Sequence, residues 1–167
     1  MSESNVLTQI IEGVLEDVEK RFIPIKQLRE QLENAPKLRG AFKALNQDGM
    51  RLIAEVKRSS PSKGNLAEIA DPKELASKYQ EGGADVISVL TEERRFKGSI
   101  ADLVSVRSCV DLPVLRKDFI VTEFQVIESR ILGADLILLI VAGLSKSQLI
   151  DFYQLSTCLL YTSPSPR

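Results

Sequence analysis

Residues 52–57, Leu52-Ile53-Ala54-Glu55-Val56-Lys57, make a short apolar run that ends in charge, and three later stretches repeat its form: Asp85 to Leu90, Val114 to Lys117 and Asp135 to Val141. Near-continuous apolar runs of this kind suit parallel strands buried on both faces. Helix signals separate them. Asp71-Pro72 supplies an N-cap followed by a first-turn proline, Ser99 caps a run carrying Leu103 and Val106, and Thr122-x-x-Gln125 and Ser145-x-x-Gln148 are capping boxes. Gly82-Gly83 and Gly133 are helix stops, and the sequence Gly-Ala-Asp leads from a stop into a strand at both 83–85 and 133–135. The repeat is strand then helix. Four such units make either half of an eightfold (β/α) TIM barrel or the start of a doubly wound sheet. The absence of any G-x-G-x-x-G fingerprint disfavours the sheet, and Glu55, Lys57 and Lys117 lie at strand C-terminal ends, where a barrel builds its active site.

Outside this frame the chain changes character. From Thr8 to Phe22, residues Ile10, Ile11, Val14, Leu15 and Val18 recur at helical spacing, and a second short helix is expected from Ile25 to Glu33 between Pro24 and Pro36. Residues 1–46 therefore read as an N-terminal helical extension and 47–155 as the first half of a barrel. A complete barrel needs about 250 residues, so a chain ending after four units is expected to be truncated. Residues 156–167, from Ser156 to Arg167, show neither helical period nor a fifth-strand pattern and read as a non-native or disordered tail.

Composition narrows the chemistry. The 22 Lys and Arg against 23 Asp and Glu give a net charge of −1, with no basic field for nucleic acid. The longest apolar run, Leu136 to Leu144, is far short of the roughly 20 residues that span a bilayer, and Ser2-Glu3-Ser4-Asn5 is no signal-peptide start. A cytoplasmic protein without nucleic-acid or membrane partners is expected. Cys109 and Cys158 have neither disulfide nor metal-site spacing, and the 167 residues include no histidine, so proton chemistry falls to Lys, Glu, Asp, Tyr or Cys.

The period of two puts Ile53, Glu55 and Lys57 on one strand face, so a carboxylate and an ammonium project together into the barrel mouth. After them comes Arg58-Ser59-Ser60-Pro61-Ser62-Lys63-Gly64, a cationic, hydroxyl-rich loop of the sort that receives an anion. Lys117, a lysine partly out of water near a second ammonium, suits a general acid. Phe96 and Phe119, both just past strand ends, could line an aromatic pocket. Taken singly, these features also describe a structural ion pair, a snorkelling lysine and ordinary packing.

Together they resemble the indole-3-glycerol-phosphate synthase family. The likeness runs from Leu52 through Gly64, through Ile87-Ser88-Val89-Leu90-Thr91-Glu92 to Ser99, through Leu115 to Ile120 and through Gly133 to Val141, and covers about Ile10 to Gln154. It implies a carboxy-lyase of tryptophan biosynthesis that uses no cofactor and acts on a small phosphorylated substrate. That substrate is 1-(2-carboxyphenylamino)-1-deoxyribulose 5-phosphate, and the product is indole-3-glycerol phosphate. It further implies that Lys117 is the general acid, that Lys57 holds the carboxylate and that Glu55 orients Lys57. Ser60 and Pro61 become contacts on the anthranilate side, and Phe96, Phe119, Leu138 and Ile140 the wall around the ring.

The family's general base and phosphate cradle follow strands five to eight, so the chain alone is expected to be inactive, and the full-length protein a monomer or a fusion with another pathway enzyme. Two alternatives stand beside this. Another phosphate-binding barrel such as phosphoribosylanthranilate isomerase would carry an early catalytic Cys where this chain has Glu55 and Lys57. A noncatalytic half-barrel module would expose sheet edges and self-associate.

Overall fold

The computed structural model describes residues 6–60, 64–65 and 69–160. Helix α1 (Val6–Arg21) is followed by α2 (Ile25–Glu30), with extended Pro24 between them, and by one 3-10 turn at Gln31–Asn34. After α3 (Ala41–Leu45) the strand and helix units begin: β1 (Ile53–Val56), a small antiparallel hairpin of β2 (Ser59–Ser60) and β3 (Gly64–Asn65), and α4 (Pro72–Glu81). Then come β4 (Val86–Leu90), α5 (Ile100–Cys109), β5 (Val114–Lys117), α6 (Glu123–Ile131), β6 (Leu136–Ile137) and α7 (Lys146–Leu159). The four parallel strands lie in the order β1-β4-β5-β6, the winding expected of an α/β barrel. Among the described residues no helix is long and apolar enough to cross a membrane.

Each cap read from the sequence is formed. The side chains of Asp71 and Ser99 accept from the amides of Lys73 and Asp102, and Thr122 and Ser145 close reciprocal boxes with Gln125 and Gln148. Gly83 and Gly133 sit at φ 88° and 89°, a region that disfavours any side chain. The aspartates after them act as clasps. Asp85 accepts the amide of Leu52 at 2.7 Å, and Asp135 accepts the amides of Val114 at 2.9 Å and Arg39 at 2.7 Å. Each thus ties the start of its own strand to the start of the preceding one.

Side chains alternate between two faces. Val56, Ile87, Val89 and Val114 turn outward and pack with Ala76, Leu103 and Val106 of the helices into one core. Ile10, Val14, Val18 and Leu28 form a second core with Val121, Phe124 and Ile127. The N-terminal helices are therefore built into the barrel wall around α6 and do not stand apart from it.

The second helix ends at Glu30 and gives way to the 3-10 turn before the expected Glu33, and two boundaries near the end of the chain also differ from the sequence reading. The ladder of the fourth strand covers only Leu136 and Ile137, not 135–141, because β5 offers partners at Leu115 and Arg116 alone, and a 3-10 turn follows at Val141–Gly143. Helix α7 runs past residue 155 to Leu159, because Leu155 and Leu159 still pack against the second core while Ser156 and Leu160 are buried. Residues 156–160 thus belong to the packed body, and the remainder of the expected tail, 161–167, lies outside the described residues.

Candidate active site

The inner face of the sheet carries the charges. In register, Glu55 pairs with Ser88, and Leu90 with Lys117, so Glu55 and Lys117 share a face although β4 runs between their strands. Lys57 Nζ lies 2.7 Å from Glu55 Oε1, and Lys117 Nζ donates to Glu55 Oε2 at 3.1 Å. The two ammoniums therefore do not face each other; the carboxylate bridges them. Burial pushes the Glu55 carboxyl up, but hydrogen bonds and charge from Lys57 and Lys117 outweigh it and hold it below the ordinary glutamate value. The three side chains are 27–35% exposed, so the cluster is ordered by its own contacts yet reachable by a ligand.

Alternation also explains the neighbour of Lys117. Arg116 turns the other way, into the space between β5 and α6, where it is wholly buried. There it donates to Glu128 at 2.8 Å, Ser129 at 3.2 Å, Asp118 at 3.1 Å and Thr91 at 3.2 Å. Arg21 of α1 donates to the far oxygen of Glu128 at 2.8 Å, which extends the network into the N-terminal helix.

Beside the charges lies a cavity of about 110 Å³, partly open to solvent. Its apolar wall is Leu90, Phe96, Phe119, Leu138 and Ile140, and Lys117, Glu92 and Asp118 supply its polar rim. The rings of Phe96 and Phe119 stand 6.3 Å apart and tilted by 40°. All four hydrophobic residues singled out in the sequence thus meet around one space, with the ammonium of Lys117 on its wall. Ser60 sits in the adjoining hairpin opposite Gly64, and its neighbour Ser59 donates its amide to the carbonyl of Phe96 at 3.2 Å. Pro61 lies outside the described residues. Among the described residues no group of three or more His, Cys, Asp or Glu is placed to hold a metal ion.

Sequence reading missed Glu92, Asp118 and the Arg116 network. One signal was available: an acid directly after a strand, followed by a turn full of free amides and then Gly98. Chemically, the arrangement presents an ammonium held by a carboxylate beside an apolar cavity with two aromatic rings in its wall.

Comparison with known proteins bears on this geometry. The profile of the indole-3-glycerol phosphate synthase family matches residues 7–159. The indole-3-glycerol phosphate synthase of Micrococcus luteus is 54% identical over 162 residues, covering 93% of this chain and 60% of that protein. That of Streptomyces griseus is 53% identical, covering 90% of this chain and 56% of its own length, and indole-3-glycerol phosphate synthase 1 of Streptomyces coelicolor is 56% identical, covering 87% and 55%. The chain spans less than two thirds of the length of these curated relatives. On this similarity, and with a strand order that suits a (β/α) barrel, the chain belongs to the indole-3-glycerol-phosphate synthase family.

Proposed function

We propose that the protein to which this chain belongs makes indole-3-glycerol phosphate, acting as a carboxy-lyase in the cytoplasm, with no cofactor, as a monomer or as part of a fusion. The observation that supports this most is the ammonium of Lys117 on the wall of the aromatic cavity, 3.1 Å from the Glu55 carboxylate. With the substrate's ring in the cavity lined by Phe96, Phe119, Leu138 and Ile140, Lys117 donates a proton to the ribulose carbonyl oxygen. The ring carbon that bears the carboxylate then bonds to the carbonyl carbon. The carboxylate leaves as CO2, its electron pair restoring the aromatic ring; the new hydroxyl then departs and the carbon between it and the nitrogen loses a proton, which together make water and close the indole double bond. Lys57 holds the carboxylate before it leaves, Glu55 orients Lys57, and Ser60 and Pro61 flank the anthranilate side. An apolar wall favours loss of a charged group as neutral CO2. The isomerase alternative is not favoured, since the relatives above carry the synthase name.

The test is a chimaera of residues 1–155 completed with the C-terminal portion of the Micrococcus luteus relative, assayed by the fluorescence of indole-3-glycerol phosphate. Lys117→Ala should lower kcat by about 10²-fold or more, within the range of general acid catalysis. An unchanged kcat would remove Lys117 from that role.

A further inference from the structure

We propose that Glu92 is the positioning residue of the aromatic wall: its carboxylate folds the loop after β4 from the inside and so sets where the ring of Phe96 stands over the cavity. The proposal rests on the reading that this cavity receives the substrate's ring.

Glu92 is buried, 4% exposed, and its two oxygens gather three successive backbone amides. Oε1 accepts from Arg94 at 3.2 Å; Oε2 accepts from Arg95 at 2.8 Å and from Phe96 itself at 2.9 Å. The same residue's carbonyl accepts the amide of Gly98 at 2.9 Å, which closes the loop. Without the carboxylate these three amides lose their shared acceptor, and with it the contacts that hold the loop's turn. Two oxygens are needed. A glutamine carbonyl offers only two lone pairs for three donors, and its amide would point a fourth donor at them.

Besides Glu92, the amide of Ser59 in the hairpin also holds the Phe96 backbone, donating to its carbonyl at 3.2 Å; the remaining attachments lie elsewhere in the loop. The loop base is tied to the strand of Lys117, where the amide of Thr91 donates to the Lys117 carbonyl at 3.1 Å. Arg94 reaches out to Asp17 at 2.7 Å and to Glu16 at 2.8 Å, and Arg95 to Gln9 at 2.8 Å, all on α1. The contacts to α1 hold exposed side chains, whereas Glu92 gathers three successive backbone amides, that of Phe96 among them.

The test uses this chain with anthranilate as the probe, whose own fluorescence changes on entering an apolar site. Glu92→Ala should weaken anthranilate binding about tenfold, as Phe96→Ala should, a size in keeping with the loss of one aromatic contact. Glu92→Ala combined with Phe96→Ala should bind no worse than either alone, and Glu92→Gln should fall between wild type and Glu92→Ala. Amide exchange at 94–96 should quicken in Glu92→Ala while β4 and β5 stay protected, which shows that the fold is intact. Additive losses in the combined variant, or unchanged binding by Glu92→Ala, would overturn the proposal. If wild type takes no anthranilate, the reading of the cavity fails, and the contact between the Phe96 and Phe119 rings, followed by NMR, decides Glu92 instead: loss of that contact in Glu92→Ala supports the assignment and retention refutes it.

Discussion

Lys117 on β5 reaches over the intervening strand β4 to place its ammonium 3.1 Å from the carboxylate of Glu55 on β1. The contact joins strands that are not neighbours, so it forms only when the three-strand order is complete.

Glu55 is held below its ordinary value, so its contribution to stability is fully present above the unfolded-chain value and is lost as pH falls through the folded one. The melting-temperature difference between wild type and Glu55→Gln should therefore be constant above the ordinary glutamate value of about 4.3 and shrink only as pH falls below it. A difference independent of pH from 3 to 7 would show that the bridge adds nothing to folding.

Arg116 is wholly buried among Asp118, Glu128 and Thr91. Arg116→Met removes the cation and leaves buried carboxylates, which typically costs about 3–5 kcal/mol. Arg116→Met combined with Glu128→Met should recover part of that loss. Denaturant midpoints of the two variants check the order.

Gly98 has no room for a side chain, since an added Cβ would stand 2.1 Å from the Leu90 carbonyl oxygen. Gly98→Ala must push the loop off the end of β4, an overpacking cost of about 1–3 kcal/mol. Circular-dichroism melts should show that loss, and the contact between Phe96 and Phe119 should weaken with it.

Ser88 is buried on the inner face, and its hydroxyl has no hydrogen-bond partner among the described residues. Removing an unsatisfied group of that kind is neutral or stabilising by about 1 kcal/mol. Ser88→Ala should therefore melt no lower than wild type, and a clear drop in Tm would mean that the hydroxyl is satisfied in solution.

What the sequence disclosed depended on whether the signal was local. Caps at Ser99, Thr122 and Ser145 and the stops at Gly83 and Gly133 are contacts within a few residues, and all were legible. So was the shared face of Glu55 and Lys57, which follows from alternation within one strand, and the resemblance brought Phe96, Phe119, Leu138 and Ile140 to one wall. Helix α3 was not legible, because five residues after an N-cap glycine without a side-chain bond leave no pattern. The extent of β6 depends on where its neighbour stops pairing, and the end of α7 on packing into the second core, which residues distant in the sequence build. Arg116 and Lys117 are adjacent cations, and only the three-dimensional alternation reveals that one serves the wall and the other the cavity.

The two aspartate clasps divide the sheet into pairs. Asp85 locks β1 to β4 and Asp135 locks β5 to β6, while β4 meets β5 with no such clasp at its foot. Glu55 and Phe96 belong to the first pair, Lys117 and Phe119 to the second, so the ion bridge and the facing rings both straddle the seam. Chemistry of this kind is a property of the joint between two strand pairs that share one core. A shift of one pair by a single residue of register would turn Lys117 and Phe119 away from Glu55 and Phe96 and dismantle the site, even with both clasps in place.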